Sequence, residues 1–339
     1  MKNAEKCAFV LESPYAFGVY RHKVQLHTHT TRSDGRHDPQ WVMRAYADKG
    51  YAAVAITDHD YRERTMPILE DPGGHPIVHI PGVEYSADAA NRSWCHMLGL
   101  AIGHIHHAGG WQARESQIDQ AAAERGLSFL CHPYGDDVHR RGWTSDEILG
   151  VQGYTGIEIY NGASGERPEE LSCFSRAVDL ALLSSRRIYL ISSDDFHQDL
   201  EMDRGYIAIN SSVSGRDLRL EDVLTALQSG NFFAVGRMDP RAARVPHFTS
   251  IDVVQHTVTV TTDIPADIAF ITARRHGAAD GSNDLPIEKS VSCARYTASR
   301  DDRFVRIQVT ICEDGRESCA WSNPIYLRKV PNSVFEQTC

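Results

Sequence analysis

The chain has 339 residues, 42% hydrophobic and 24% charged, a globular balance with room for a large core and a smaller companion unit. Its formal charge of -10 argues against an extended nucleic-acid surface, which needs clustered Lys and Arg, while leaving room for an anionic small molecule if bound cations reverse the local sign. No run approaches the ~18 apolar residues of a membrane span, residues 1–6 lead into no apolar signal segment, and the eight cysteines form no Cys-x-x-Cys pair; a reducing cytosol is expected.

Residues 24–29 read as a strand, followed by a Ser33-Asp34-Gly35 turn. Asp38 and Pro39 are an N-cap and first helical residue, and Gly50 closes that helix. An apolar strand at 52–57 ends in Asp58-His59, and strands at 77–84 and 97–103 follow with a loop between them. Residues 111–125 have helical spacing and stop at Gly126, after which a strand at 127–131 delivers His132. A strand at 156–160, a helix at 168–183 and a strand at 188–193 lead to Asp194, Asp195, Phe196 and His197. A strand at 205–210 and a helix at 220–228 complete this part.

This alternation predicts an α/β unit with a mainly parallel sheet, either a barrel with its chemistry at the C-terminal strand ends or an open doubly wound sheet. After about residue 244 the pattern changes to alternating runs at 251–254, 257–262, 268–272 and 304–311. In the last of these Val305, Ile307, Val309 and Ile311 share one face, with Arg306, Gln308 and Thr310 opposite. The expected organisation is an α/β unit over 1–244 and a smaller antiparallel β domain over 245–339. Cys312 and Cys319 are spaced to face each other across a hairpin, although free thiols fit the compartment better.

The chemistry-bearing residues collect at strand ends. His27 and His29 stand two apart, so both imidazoles of one strand can reach one ion. Asp34 follows on the turn, His59 ends the next strand, and Glu84 ends 80–84 with two oxygens able to bridge two cations. His96, His132, Asp195 and His197 occupy the corresponding places later in the chain. Each has an ordinary structural reading alone; nine at matching positions do not share one easily.

With these motifs the sequence resembles the polymerase and histidinol phosphatase (PHP) superfamily, through His27-Thr-His29, Ser33-Asp34-Gly35, Thr57-Asp58-His59, Gly82-Val-Glu84, Cys95-His96-Met-Leu-Gly, His132-Pro133 and Asp195-Phe-His197. Gly156-Ile-Glu-Ile-Tyr-Asn161, Ser193-Asp-Asp-Phe-His197, Arg204-Gly205 and Trp321-Ser-Asn-Pro-Ile325 are similar to its carbaryl-hydrolase-like branch. The resemblance implies a distorted (β/α)7 barrel and two or three divalent cations. His27, His29, Glu84 and Asp195 would hold one; Glu84, His96 and His132 a second; Asp34, His59 and His197 a third.

Mixed imidazole and carboxylate donors suit Zn, Mn or Fe. The attacking hydroxide is expected on the cations held by Glu84, His27, His29 and Asp195, so no protein nucleophile is needed. The favoured substrate is a small phosphorylated metabolite or nucleotide. The alternatives are ester, carbamate or amide hydrolysis at the same centre, or a catalytically silent metal-binding scaffold. Arg204 is a candidate contact for an anionic group, Asn161 and Tyr160 for pocket lining, Asp194 and Asp58 for hydrogen bonds to ligands, and His139 for a general acid. Cys95 and Cys131 are expected in the core because neighbouring strand residues face opposite sides. His104, His106 and His107 read as a solvated loop. Self-association through the β-rich tail stays open.

Overall fold

The computed structural model describes residues 8–63, 66, 69–70, 73–86, 95–105, 112–133, 142–163, 168–184, 187–274, 283–284 and 287–330. The elements run β1 (Ala8–Glu12), β2 (Tyr20–Gln25), α1 (Pro39–Asp48), β3 (Tyr51–Ile56), β4 (Leu69–Glu70), β5 (Pro76–Tyr85), β6 (Met97–Leu100), α2 (Gln112–Ala123), β7 (Leu127–Leu130), α3 (Ser145–Gly150), β8 (Gly156–Asn161) and α4 (Pro168–Leu183). They continue with β9 (Tyr189–Ser193), β10 (Gly205–Ser211), α5 (Leu220–Ser229), β11 (Phe232–Arg237), β12 (Phe248–Val254), β13 (Thr257–Arg274), β14 (Asn283–Asp284), β15 (Glu288–Thr297), β16 (Asp302–Glu313), β17 (Arg316–Ser322) and β18 (Ile325–Val330). No described helix is long and apolar enough to cross a membrane.

The fold is mixed α/β. α1 begins as its sequence dictates, with the Asp38 carboxylate accepting from the Gln40 and Trp41 N–H groups and Pro39 needing no partner, and it buries Val42, Met43, Tyr46 and Ala47. The sheet is less parallel than expected. Pairs β2–β3, β3–β5, β7–β8 and β8–β9 are parallel, but β6 runs against both β5 and β7. One reversed strand therefore separates two parallel blocks, and β5 and β7 point the same way. β5 serves both neighbours in turn, pairing 78–81 with β3 and 82–85 with β6. A single parallel bridge, Thr28 to Phe196, joins the segment after β2 to the segment after β9.

On its other side β2 pairs antiparallel with β10, and the ladder continues through β11, β17 and β16. The runs at 257–262 and 268–272 form one strand, β13, whose register shifts between Thr261 and Ala266 as it changes partners. Pro265 sits within that shift, where a missing N–H interrupts no ladder bond. Val305, Ile307, Val309 and Ile311 are buried as their alternation requires. Arg306 departs from its expected polar face, being buried in a bidentate pair with Asp179 of α4. Asn323 is wholly buried as well. Its side chain accepts from the Leu190 N–H and donates to the Gly230 and Phe232 carbonyls, tying the tail to β9 and β11. Cys312 and Cys319 are free thiols, facing Glu317 and Thr310 respectively in the β16–β17 ladder.

Candidate metal centre

Backbone pairing at the strand ends aims the ligands. His29 N–H donates to the Phe196 carbonyl at 2.8 Å, the Thr57 N–H to Thr28, and the Glu84 N–H to Thr57, so the ends of β9, β2, β3 and β5 are stitched together. The 30–35 turn is held by Asp58, which accepts from the Thr30 N–H, the Thr30 hydroxyl and the Ser33 hydroxyl, each at 2.7 Å. Gly35 packs so closely that a Cβ there would lie 2.4 Å from the His29 carbonyl oxygen, which accounts for glycine after Asp34. His132 and Asp195 adopt φ of 31° and 49°, in the left-handed region that L side chains seldom occupy, so the surrounding structure holds both in a strained backbone.

The nine predicted residues fall in adjoining groups, five of the histidines directly on Glu84. Its Oε2 lies 3.3 Å from His27 Nε2, 3.1 Å from His29 Nε2 and 3.1 Å from His59 Nδ1. Its Oε1 lies 3.0 Å from His96 Nδ1 and 3.2 Å from His132 Nε2. Asp195 Oδ1 stands 3.1 Å from both His27 Nε2 and His29 Nε2, closing a buried His27–His29–Glu84–Asp195 set. A second set, His29, Asp34, His59 and His197, converges beside it, with Asp34 3.4 Å from His197 Nε2 and 3.5 Å from His59 Nε2. The site deepens in one direction, since the Asp34 side chain is 53% exposed and that of Glu84 only 1%.

Charge explains why these groups tolerate one another. Burial opposes the Glu84 and Asp195 carboxylates, yet the surrounding imidazoles outweigh it and hold both well below the usual range. Burial likewise disfavours imidazolium at His27, but Asp195, Glu84 and Glu158 raise its pKa well above normal. His197 is pushed up to about 9 because Asp34 and Asp195 override its burial. His96 goes the other way, lowered by burial despite Glu84. Four buried atoms, His27 Nε2, His29 Nε2, His59 Nδ1 and Asp195 Oδ1, have no hydrogen-bond partner among the described residues although they point at common positions. Buried polar atoms left so are costly, and imidazole with carboxylate oxygen is the donor set of a divalent cation. The residues fit such an ion.

No protein-family model matches the chain. Over 83 residues it is 36% identical to the 5'-3' exoribonuclease Rnm of Escherichia coli (strain K12), covering 24% of this chain and 28% of that protein, so it spans under a third of the curated relative it matches. It is similar in structure to a two-domain protein of Bacteroides vulgatus described as containing a PHP-like metal-dependent phosphoesterase, at 14% identity over 97% of this chain and 99% of that one, with a TM-score of 0.45. A structure from Bifidobacterium adolescentis described as a metal-dependent phosphoesterase gives 15% identity over 64% of this chain and 98% of that one, with a TM-score of 0.38.

The remaining predicted residues take varied places. Asn161 is buried and donates to Asp195 Oδ2 at 3.1 Å and Glu158 Oε2 at 3.0 Å. Asp194 turns away from the ligand side chains and accepts from the Tyr46 hydroxyl and the Asp203, Arg204 and Gly205 N–H groups, fixing the turn into β10. Arg204 is buried, and its charge and hydrogen bond act on the Tyr160 hydroxyl, which also donates to the Arg237 carbonyl. His139, His106 and His107 lie outside the described residues, while His104 pairs with Glu124 at 2.7 Å. Cys95 and Cys131 are buried; Cys131 lies within reach of His27 and Glu158, but burial pushes its thiol far up.

Two positioning residues escape the sequence reading. Glu158, wholly buried, accepts from His27 Nδ1 at 2.9 Å, the Ser193 hydroxyl at 2.6 Å and the His132 N–H at 2.6 Å. Gln25 Oε1 accepts from the Leu26, His27 and Asp194 N–H groups, linking the ends of β2 and β9. Their available signal is a polar residue inside an otherwise apolar strand beside a ligand motif.

Proposed function

We propose that the chain is a PHP-type metal-dependent hydrolase, favouring phosphoesters of small anionic substrates. The observation that carries this reading is Glu84, one buried carboxylate whose two oxygens are shared among five imidazoles, an arrangement suited to bridging two cations. His27, His29, Glu84 and Asp195 would hold one cation, Glu84 with His96 and His132 a second, and Asp34, His59 and His197 a third. Bound there, divalent ions supply a water acidic enough to ionise near neutral pH and neutralise a phosphoryl group.

The chain's own residues do the positioning. Glu158 accepts a hydrogen bond from His27 Nδ1–H and so leaves Nε2 facing the centre, and Asn161 pins the Asp195 oxygen that points away from it. The partly exposed edge at Asp34, His59 and His197 is where a substrate anion reaches the site, while the floor at Glu84 excludes bulk water. The seven strands β2, β3 and β5–β9, with the Thr28–Phe196 bridge between the end segments, support a distorted barrel that opens at this mouth. The short stretch of identity with an exoribonuclease, itself a phosphodiester hydrolase, supports phosphorus over carbon as the electrophile. A site of the same design serves carboxyl ester, carbamate or amide hydrolysis equally well in principle, so the test must include those substrates.

The test is elemental analysis of metal content in parallel with turnover of p-nitrophenyl phosphate, bis-p-nitrophenyl phosphate, p-nitrophenyl acetate, a p-nitrophenyl carbamate and a 5'-phosphorylated short oligoribonucleotide. We expect two or three divalent ions per chain and phosphoester cleavage that disappears in Glu84→Gln. Cleavage of the acetate or carbamate alone would transfer the centre to acyl chemistry. Failure to bind metal after reconstitution would sink the site.

A further inference from the structure

A second concavity of about 360 Å³ lies between β1, the end of α4 and the start of β16 with β18, sharing no residue with the metal centre. Its floor is apolar, with Phe9 and Leu182 buried there and the Tyr326 ring half-buried at its side. Its rim carries Arg187, Arg300, Arg303 and Lys329, and Arg328 is adjacent.

Two carboxylates accompany these five cations. Glu12 already serves Arg187 and Arg328 together. Asp302 is buried and accepts from the Thr272 hydroxyl, the Tyr296 hydroxyl and the Ser299 N–H. Arg303 spends one N–H on the Leu183 carbonyl, and no described carboxylate is in ion-pair reach of Arg300, Arg303 or Lys329. Gathering like charges in a walled concavity is unfavourable unless an anion offsets it, and in a chain of net charge -10 such a gathering stands out. Guanidinium groups present paired N–H donors to phosphate oxygens, while an apolar floor beside an aromatic ring accommodates a flat ring. The volume lies in the range of small-molecule sites.

We propose that this concavity binds a nucleoside diphosphate or an organic phosphate of that build, its phosphates on Arg300, Arg303 and Lys329 and its ring over Phe9 and Leu182 beside Tyr326. The site is independent of the hydrolytic reading and serves as a separate effector position.

Isothermal titration of the metal-loaded protein with α,β-methylene-ADP, and separately with inorganic pyrophosphate, tests it. The analogue is expected to bind the wild type more tightly than pyrophosphate does. Its affinity should persist in Glu84→Gln and in chelator-treated wild type, and fall roughly tenfold or more in the doubly substituted Arg300→Glu, Lys329→Glu protein. That variant should keep its circular dichroism and its basal hydrolysis, because both side chains are exposed and neither touches the metal centre. Unchanged affinity in the double variant overturns the site. Binding that vanishes with Glu84→Gln and with chelation, but not with charge reversal, assigns the ligand to the metal centre and overturns it too. Equal affinity for pyrophosphate overturns the nucleotide assignment.

Discussion

A histidine that ligates a metal must present one nitrogen bare, and the proton on the other needs a fixed acceptor. At His27 that acceptor is Glu158, which also holds the His132 N–H and, through Asn161, the Asp195 carboxylate. Replacing Glu158 by Gln keeps the shape and removes the charge. Metal affinity is expected to fall roughly 10–100-fold with secondary structure retained, read by metal content after dialysis against a graded chelator. Unchanged retention of metal would show that Glu158 merely fills space. The nine candidate positions were legible because most stand at the ends of apolar runs and their motifs fall in a recognisable order. Glu158 and Gln25 were not, because period-two alternation cannot tell a carboxylate aimed into a buried site from one aimed at water. Asp194 shows the opposite error: its place beside a ligand suggested hydrogen bonds to that ligand, whereas its side chain serves the turn at 203–205.

Among the elements, β5 is informative because it carries Glu84 at one end and His79 in its middle. His79 Nε2 has no hydrogen-bond partner among the described residues, and burial, aided by the Arg62 charge, lowers its pKa to about 4 from the ordinary 6.5. Between those values the unfolded chain binds a proton that the folded chain refuses. The stability associated with the neutral ring is therefore complete above about pH 6.5 and lost as the pH falls toward 4. Between pH 7 and pH 4 the wild type should lose roughly 2 kcal/mol more than His79→Leu, a figure reduced for the ring's partial contact with solvent. Urea unfolding at both pH values measures it, and parallel losses in the two proteins would count against a buried neutral ring. Most element positions followed from caps and periodicity, as α1 illustrates. Strand direction did not: β6 runs backward because of its neighbours, which local pattern does not encode. Arg306 was assigned to a polar face because its partner Asp179 lies on a helix 127 residues away.

Across the whole molecule the change of pattern near residue 244 was visible, but the seams that join the two stretches were not. β11 pairs with β17, Arg306 reaches α4, and Asn323 satisfies one N–H and two carbonyls on β9 and the 230–232 segment. Asn323→Ala takes the amide partner from the Leu190 N–H and the Phe232 carbonyl and leaves the Gly230 carbonyl with only the Phe232 N–H, and is expected to cost about 2–4 kcal/mol. A shift of the urea midpoint with unchanged slope checks this, and a loss below about 0.5 kcal/mol would mean that water replaces the amide without penalty.

The pairing of β1 with β18 has a consequence for how the protein is made. Ala8 lies opposite Val330, so β1 waits for a partner strand that is synthesised 322 residues later. At roughly 5–20 residues per second that delay is on the order of 15–60 s. During it the β11 edge, later covered by β17, is also open. An unpaired edge is a template for the wrong partner, so the nascent chain should depend on a chaperone holdase until β18 has been made, and its soluble yield should be more sensitive to translation speed than to the stability of the finished fold.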